Sequence, residues 1–319
     1  MAQREASPAR APGRALAAAA ACAAILLGAS ASQSAPAQNG RAAPKKAQES
    51  SCDRANFRVI VDVGHSAEVP GATSARGVPE YDYNLGLATQ IERSLQRAGF
   101  GKAHLLVTPG PARRGLFGRV AKANSIAGDL FISVHHDSVP ERFIDVWEYG
   151  GKRQRYSDRF RGHSIFISYE NPAVQPSFQF AQLLGTELKA TGLQYTPHYS
   201  YPIMQERRRD LLDEKVGVYR FDHLIVLKET RMPAVLLEAG SIVHRQEEQE
   251  MATPERRATI AGAVVKAVER FCGALTQQEP RQERAERPVP AQPVAASPAP
   301  AKAESWLSFR PATTIPGQP

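Results

Sequence analysis

The stretch Arg58-Val59-Ile60-Val61-Asp62-Val63-Gly64-His65 decides the fold. Val59, Ile60, Val61 and Val63 carry no helical period, and a short run that is apolar on both faces reads as a strand buried on both sides of a sheet. Gly64 lets the backbone turn sharply. His65 is thereby delivered at the strand's C-terminal end, the edge at which ligands bind in open α/β sheets. Two later stretches end the same way. Asp129-Leu130-Phe131-Ile132-Ser133-Val134 runs into His135-His136, and Ala234-Val235-Leu236-Leu237 runs into Glu238-Ala239-Gly240. Parallel strands would bring these side chains to one edge.

Between the strands the apolar period changes. From Glu80 to Ala98, Leu87, Ile91 and Leu95 form a helical stripe that stops at the polar Asn84, and Gly99 supplies the C′ residue. Ala103 to Thr108 reads as a second strand and Arg113 to Ile126 as a helix leading to the third. His163 to Ser168 reads as a strand, Pro176 to Ala190 as a helix, and Leu224 to Leu227 and Ala234 to Leu237 as the last strands. A final helix opens at Thr253-Pro254, as N-cap and first-turn proline, with Ile260, Val264, Val268 and Phe271 as its buried stripe. The alternation predicts an α/β fold: a single domain with a mostly parallel twisted sheet and helices on both faces. Two stretches interrupt the rhythm. Residues 139–161 are a polar, basic and aromatic loop of a kind more often functional than accidental, with a disordered surface insert as the alternative. Residues 194–218 contain the run Glu206-Arg207-Arg208-Arg209-Asp210, of a kind that is usually a solvated face.

The ends of the chain differ from its middle. Arg4, Arg10 and Arg14 precede an Ala/Leu/Ile run from Ala15 to Leu27 and then Ala29-Ser30-Ala31. This has the form of a cleavable export signal over residues 1–31, too short in its apolar part for the roughly 20 residues of a membrane span. Residues 32–51 read as a disordered linker, 52–273 as the catalytic domain, and 274–319 as a disordered Pro/Ala-rich tail. The expected location is periplasmic, with no stable membrane anchor after signal cleavage. The formal charge of +8 is concentrated at the ends. Residues 1–50 hold six Lys/Arg against two acids and residues 273–319 five against four, leaving about +3 for the rest. No nucleic-acid partner is expected from so small an excess. Outside the signal only Cys52 and Cys272 remain. A βα unit places both at the lower edge of the sheet, where an oxidising compartment permits a disulfide; two free thiols are the alternative.

His65, Glu80 and His135 form a donor set suited to a catalytic zinc, which takes about three His or carboxylate ligands and keeps one position for water. Glu238 adds a carboxylate that is costly to bury unless partnered, and beside such a metal it can act as general base. Each residue alone has an ordinary structural reading. A strand-end His is commonly just hydrogen-bonded, Glu80 complements a helix dipole, His136 competes with His135, and Glu238 could pair with Arg231. The coincidence of position is what carries the site.

Four motifs then stand in register: Asp62-Val63-Gly64-His65; Gly77-Val78-Pro79-Glu80 with Asn84-Leu85; Phe131-Ile132-Ser133-Val134-His135; and Met232-Pro233-Ala234-Val235-Leu236-Leu237-Glu238-Ala239-Gly240. Together they resemble the zinc-dependent N-acetylmuramoyl-L-alanine amidase family of cell-wall hydrolases. The resemblance implies Zn2+ on His65, Glu80 and His135 and catalysis by Glu238. It also implies a peptidoglycan substrate, cut between N-acetylmuramic acid and L-alanine in wall remodelling or daughter-cell separation. The chain departs from the family pattern at Val63 (usually Pro), Ser66 (usually Gly) and His136-Asp137 (often Ala-Asn). Some relatives carry an inhibitory helix after the second His that an activator protein displaces, and residues 139–161 or 194–218 are the candidates for that part here. Other readings of the motifs are a zinc peptidase or deacylase and a latent or inactive peptidoglycan-binding relative.

Overall fold

The computed structural model describes residues 52–110 and 112–278, so the expected signal and linker and nearly all of the expected tail lie outside the described residues. In chain order the regular elements are β1 (Val59–Val63), α1 (Glu80–Arg97), β2 (Ala103–Leu106), α2 (Ala112–Ile126), β3 (Leu130–Asp137), β4 (Asp145–Tyr149) and β5 (Lys152–Tyr156). They continue with β6 (Ser164–Ile167), α3 (Val174–Ala190), β7 (Leu211–Asp213), β8 (Val218–Arg220), α4 (Ile225–Lys228), β9 (Ala234–Ser241), α5 (Arg245–Ala252) and α6 (Pro254–Gln278).

Seven strands form one sheet in the order β2-β1-β3-β9-β6-β8-β7. β1 pairs in parallel with β2 and β3, and β3 with β9, whereas β6 runs antiparallel to β9 and β7 antiparallel to β8. Strand period 2 sorts the core into two layers. Val59, Val61, Val63, Leu130, Ile132, Val134, Val235 and Leu237 face α1, α3 and α6 through Leu87, Ile91, Leu184, Val264 and Phe271. Ile60, Phe131, Ala234 and Leu236 point the other way, onto Val120 of α2 and Leu227 of α4. The expected sandwich of a mostly parallel sheet between helices is thus present.

Three expectations change. Leu224 to Leu227 is a helical turn and no strand, because the sheet position beside β9 is taken by β6. The turn is tied down from outside, with Asn171 Nδ2 donating to the carbonyls of Leu227 (2.6 Å) and Thr230 (2.9 Å). A short apolar run does not by itself distinguish the two states. Residues 139–161 contain the antiparallel hairpin β4–β5, and residues 194–218 supply the two 3-10 turns His198–Ser200 and Pro202–Arg207 and strand β7. The last helix continues to Gln278, past the expected boundary at 273. Cys52 and Cys272 are bonded, with Cα atoms 5.2 Å apart and a sequence separation of 220. Closing so long a loop stabilises by about 3–5 kcal/mol in the chain-entropy account.

Candidate active site

β3 and β9 do not stop where their apolar runs stop. Both continue three or more residues further, so His135 and Glu238 lie within paired strand and face each other in register. Alternation then separates the two adjacent histidines. His136 turns to the α1 side, where its Nδ1 lies 2.7 Å from Asn84 Oδ1, and its backbone N–H donates to Glu80 Oε1 at 3.3 Å. His135 points into the site, with Nδ1 3.1 Å from Glu80 Oε1. Burial pushes the His136 pKa down to about 3, which keeps that ring neutral, and burial also lowers the pKa of His135, with the Glu80 carboxylate opposing.

Glu80 begins α1, and its carboxylate is the hub. Oε2 lies 3.0 Å from His65 Nε2 and accepts from the Ala72 N–H at 3.1 Å, while Oε1 accepts from Asn84 Nδ2 at 3.1 Å. Burial raises its pKa, but the two imidazoles outweigh burial and hold it well below the usual carboxylate range. His65 adopts φ 65°, a left-handed conformation that non-glycine residues rarely take. Its carbonyl is held by Arg119 Nη2 at 2.6 Å, and Arg119 is itself paired with the buried Asp62, which also accepts from Ser133 Oγ at 2.7 Å.

The donor set fits a zinc ion. One atom each from His65, Glu80 and His135 lie within 4.8 Å of one another, and tetrahedral ligation at about 2.1 Å separates ligand atoms by about 3.4 Å. Two glycines make room for these side chains. A Cβ on Gly64 would lie 2.6 Å from the His135 ring, and one on Gly71 (φ +81°) 2.5 Å from Glu80 Oε2 and 2.6 Å from the His65 ring. Solvent reaches the site: the side chains of His65 and His135 are 25% and 15% exposed.

Glu238 stands apart from this hub. Its Oε2 is buried without a hydrogen-bond partner. Burial first, and then the carboxylates of Asp137 and Glu80, push its pKa well above the ordinary value, with the Arg207 guanidinium opposing. A dication beside Glu80 would add a charge of the same sign as Arg207 and act in the same direction. Arg207, and not Arg231, is the arginine within electrostatic reach, since the Arg231 backbone instead donates to Asn124.

The structure therefore gathers all four expected residues and adds Asn84, Arg119, Tyr199 and Arg207. Asn84 was legible as position i+4 from Glu80 on the same helical face. The other three arrive through tertiary contacts or from a segment without period, and no sequence signal marks them. Hairpin β4–β5 stands on the loop that leads to Glu80: Trp147 Nε1 donates to the Ala75 carbonyl at 2.9 Å, and Arg76 lies over the Trp147 and Tyr149 rings at 5.3 and 5.1 Å.

A family profile described as N-acetylmuramoyl-L-alanine amidase matches residues 59–270. A protein of Buchnera aphidicola subspecies Baizongia pistaciae, provisionally named an N-acetylmuramoyl-L-alanine amidase, is 24% identical over 200 residues, or 60% of this chain and 86% of that protein. The fold resembles the crystal structure of the N-acetylmuramyl-L-alanine amidase Ami1 of Mycobacterium smegmatis, with TM-score 0.52 and 21% identity over 69% of this chain and 98% of that one. It also resembles the apo Ami1 of Mycobacterium abscessus, with TM-score 0.50 and 20% identity over 68% and 99%.

Proposed function

Because the chain belongs to the N-acetylmuramoyl-L-alanine amidase family, we propose that it is a zinc-dependent hydrolase cutting peptidoglycan between the lactyl group of N-acetylmuramic acid and the stem L-alanine. The observation that carries the proposal is the convergence of His65, Glu80 and His135, with Glu238 as the register partner of His135 on the next strand. His65, Glu80 and His135 would hold the ion, and Glu238 would be the catalytic acid–base. Bound zinc would polarise the scissile carbonyl and lower the pKa of water to about 7.

The protein's own groups divide the remaining work. Asn84, the Ala72 N–H and the His136 N–H fix the Glu80 carboxylate, and Arg119 fixes the backbone of His65. Glu238 Oε2, which no protein group occupies, accepts the proton from the attacking water and passes it to the amide nitrogen as the C–N bond breaks. The products are the muramyl lactyl carboxylate and a stem peptide with a free L-alanine amine.

We place the enzyme outside the cytoplasm, in the periplasm, after removal of residues 1–31, with 52–273 as the catalytic domain and a role in wall remodelling or daughter-cell separation. The cell-wall substrate supports that location. Among the described residues no helix is long and apolar enough to cross a membrane. An activator protein that relieves an inhibitory insert remains part of the reading, with residues 139–161 or 194–218 as that insert. If residues 139–161 were inhibitory, deleting them would raise hydrolysis.

The experiment is digestion of purified sacculi by the mature chain, alone, with chelator, and beside Glu238→Ala, with products read by mass. Stem peptides beginning at L-alanine, lost on chelation and in the variant, are the expected result. Release of fragments cut elsewhere would favour a zinc peptidase, and no release by a zinc-loaded chain would favour the latent reading.

A further inference from the structure

The loop from β1 to α1 is a narrow ribbon folded back on itself. The Glu80 N–H donates to the Ala72 carbonyl at 2.8 Å and the Tyr81 N–H to the Pro70 carbonyl at 3.0 Å, and Thr73 forms an antiparallel bridge with Pro79. The base of the ribbon thus carries the Ala72 N–H to Glu80 Oε2 and lays Gly71 against both Glu80 and His65. Its tip is the turn over residues 74–78, closed by the Ser74 N–H on the Val78 carbonyl at 2.8 Å. Ala75 is three residues from Ala72, so the tip and the base that holds Glu80 move as one piece unless those bonds break.

The tip is gripped from two sides. On one, the fully buried Ala75 donates its N–H to the Ile242 carbonyl just beyond β9 at 2.9 Å, and Arg76 Nη1 pairs with Glu248 of α5 at 2.6 Å. On the other stands hairpin β4–β5. Alternation puts Trp147, Tyr149 and Gln154 on its inner face. Trp147 Nε1 donates to the Ala75 carbonyl, and the stacked Trp147 and Tyr149 rings cover the Arg76 guanidinium. Gln154 sits so close to Gly77 that a Cβ there would meet its Nε2 at 2.8 Å. Arg245, the first residue of α5, lies over Trp147 and Tyr156 at 5.1 and 3.9 Å and ties the hairpin to the same helix. The core does not account for these contacts: none of residues 145–156 belongs to either core layer, and Val146 on the outer face is 51% exposed.

Building on the amidase reading, we propose that hairpin β4–β5 clamps this ribbon and so holds the zinc ligands, with Trp147 as a positioning residue that acts through Ala75 and Ala72 on Glu80. An indole suits the task, because one side chain both donates to a backbone carbonyl and presents an aromatic face to a cation. Groups that orient a metal ligand directly contribute ten- to a hundredfold in affinity, and Trp147 acts one step further out, so its effect is about tenfold.

The test is zinc affinity by chelator competition on the full chain, read beside the melting temperature of the metal-free protein. Trp147→Ala should weaken zinc binding about tenfold, and Trp147→Phe, which keeps a ring over Arg76 and loses only the donor, about threefold. Val146→Ser, on the outer face of the same hairpin, should stay within about twofold of the wild type. In the metal-free chain, amide exchange at Ala72 and Ala75, followed by NMR, should quicken in both Trp147 variants. Trp147 variants that melt earlier yet bind zinc as tightly as the wild type would overturn the proposal and leave the hairpin a contributor to stability alone. Equal losses in Trp147→Ala and Val146→Ser would overturn it as well. If Trp147→Ala does not fold, Trp147→Phe carries the same comparison. If the wild type binds no zinc, the amidase reading has lost its metal on its own account, and unchanged exchange at Ala72 in the Trp147 variants would separately remove the clamp.

Discussion

His135 and Glu238 are register partners on the parallel strands β3 and β9, each at the position where its strand turns from apolar to polar side chains. Adjacent strands lie about 4.8 Å apart, so the sheet itself sets the spacing between a proposed ligand and the proposed acid–base. Glu238→Gln should therefore keep the fold and the bound zinc while lowering kcat by at least about a hundredfold. Its melting temperature should hold or rise, because the buried Oε2 has no partner to lose. Metal content by atomic absorption, read beside kcat, checks this; loss of zinc in the variant would make Glu238 a ligand instead.

Asn84 gives a different kind of prediction. It donates to both Glu80 Oε1 and the Gly64 carbonyl and receives the His136 ring, all within the buried face of α1. Groups that orient a ligand typically contribute ten- to a hundredfold in metal affinity. Asn84→Leu should lose that much in a chelator competition, with the helix content of the chain unchanged by circular dichroism. An unaltered zinc affinity would reduce Asn84 to packing.

What the sequence made legible follows from where each signal resides. His65, Glu80, His135 and Glu238 sit at breaks in strong apolar periods, and a break of period is local, so each could be located from neighbouring residues alone. The same locality produced the error at Leu224 to Leu227, where a four-residue apolar run satisfies strand and helix equally and the presence of β6 beside β9 decides. Helix α5 was missed because its buried side chains are charged. Glu248 accepts from Ser74 Oγ at 2.6 Å and pairs with Arg76 at 2.6 Å, so a core-facing helix here reads as a solvated one. Arg207 lay in a basic run that is usually a solvated face, and only the turn at Gln205 and the bond from Tyr199 to Asp137 reveal its direction.

Arg119 and Asp62 form a pair buried to 4% and 0% side-chain exposure beneath His65. Removing one member of such a pair leaves an uncompensated charge, so Arg119→Met should cost about 3–5 kcal/mol in urea unfolding. It also releases the His65 carbonyl, whose φ of 65° then lacks its restraint, and zinc affinity should fall as well. The double variant Asp62→Asn with Arg119→Met separates the effects: stability should largely return while zinc affinity stays low. Recovery of both would show that the pair serves stability alone.

His163 tests the acid limb of stability away from the proposed zinc ligands. It is 3% exposed just before β6, both ring nitrogens lack a hydrogen-bond partner, and burial pushes its pKa down to about 4. In the unfolded chain the same ring titrates near 6.5. Between those values the unfolded state holds a proton that the folded state refuses, so its contribution is complete above about 6.5 and is lost as pH falls to about 4. The loss from this residue is about 3 kcal/mol, at 1.36 kcal/mol per unit. His163→Met should leave stability near pH 7 almost unchanged and flatten the decline to pH 4 by about that amount in denaturant titrations. His136 and His198, also pushed down to about 3 by burial, keep the variant's remaining slope of the same sign. An identical slope in variant and wild type would mean that His163 protonates within the fold, drawing its partners from the neighbouring carbonyls of Val216 and Gln194.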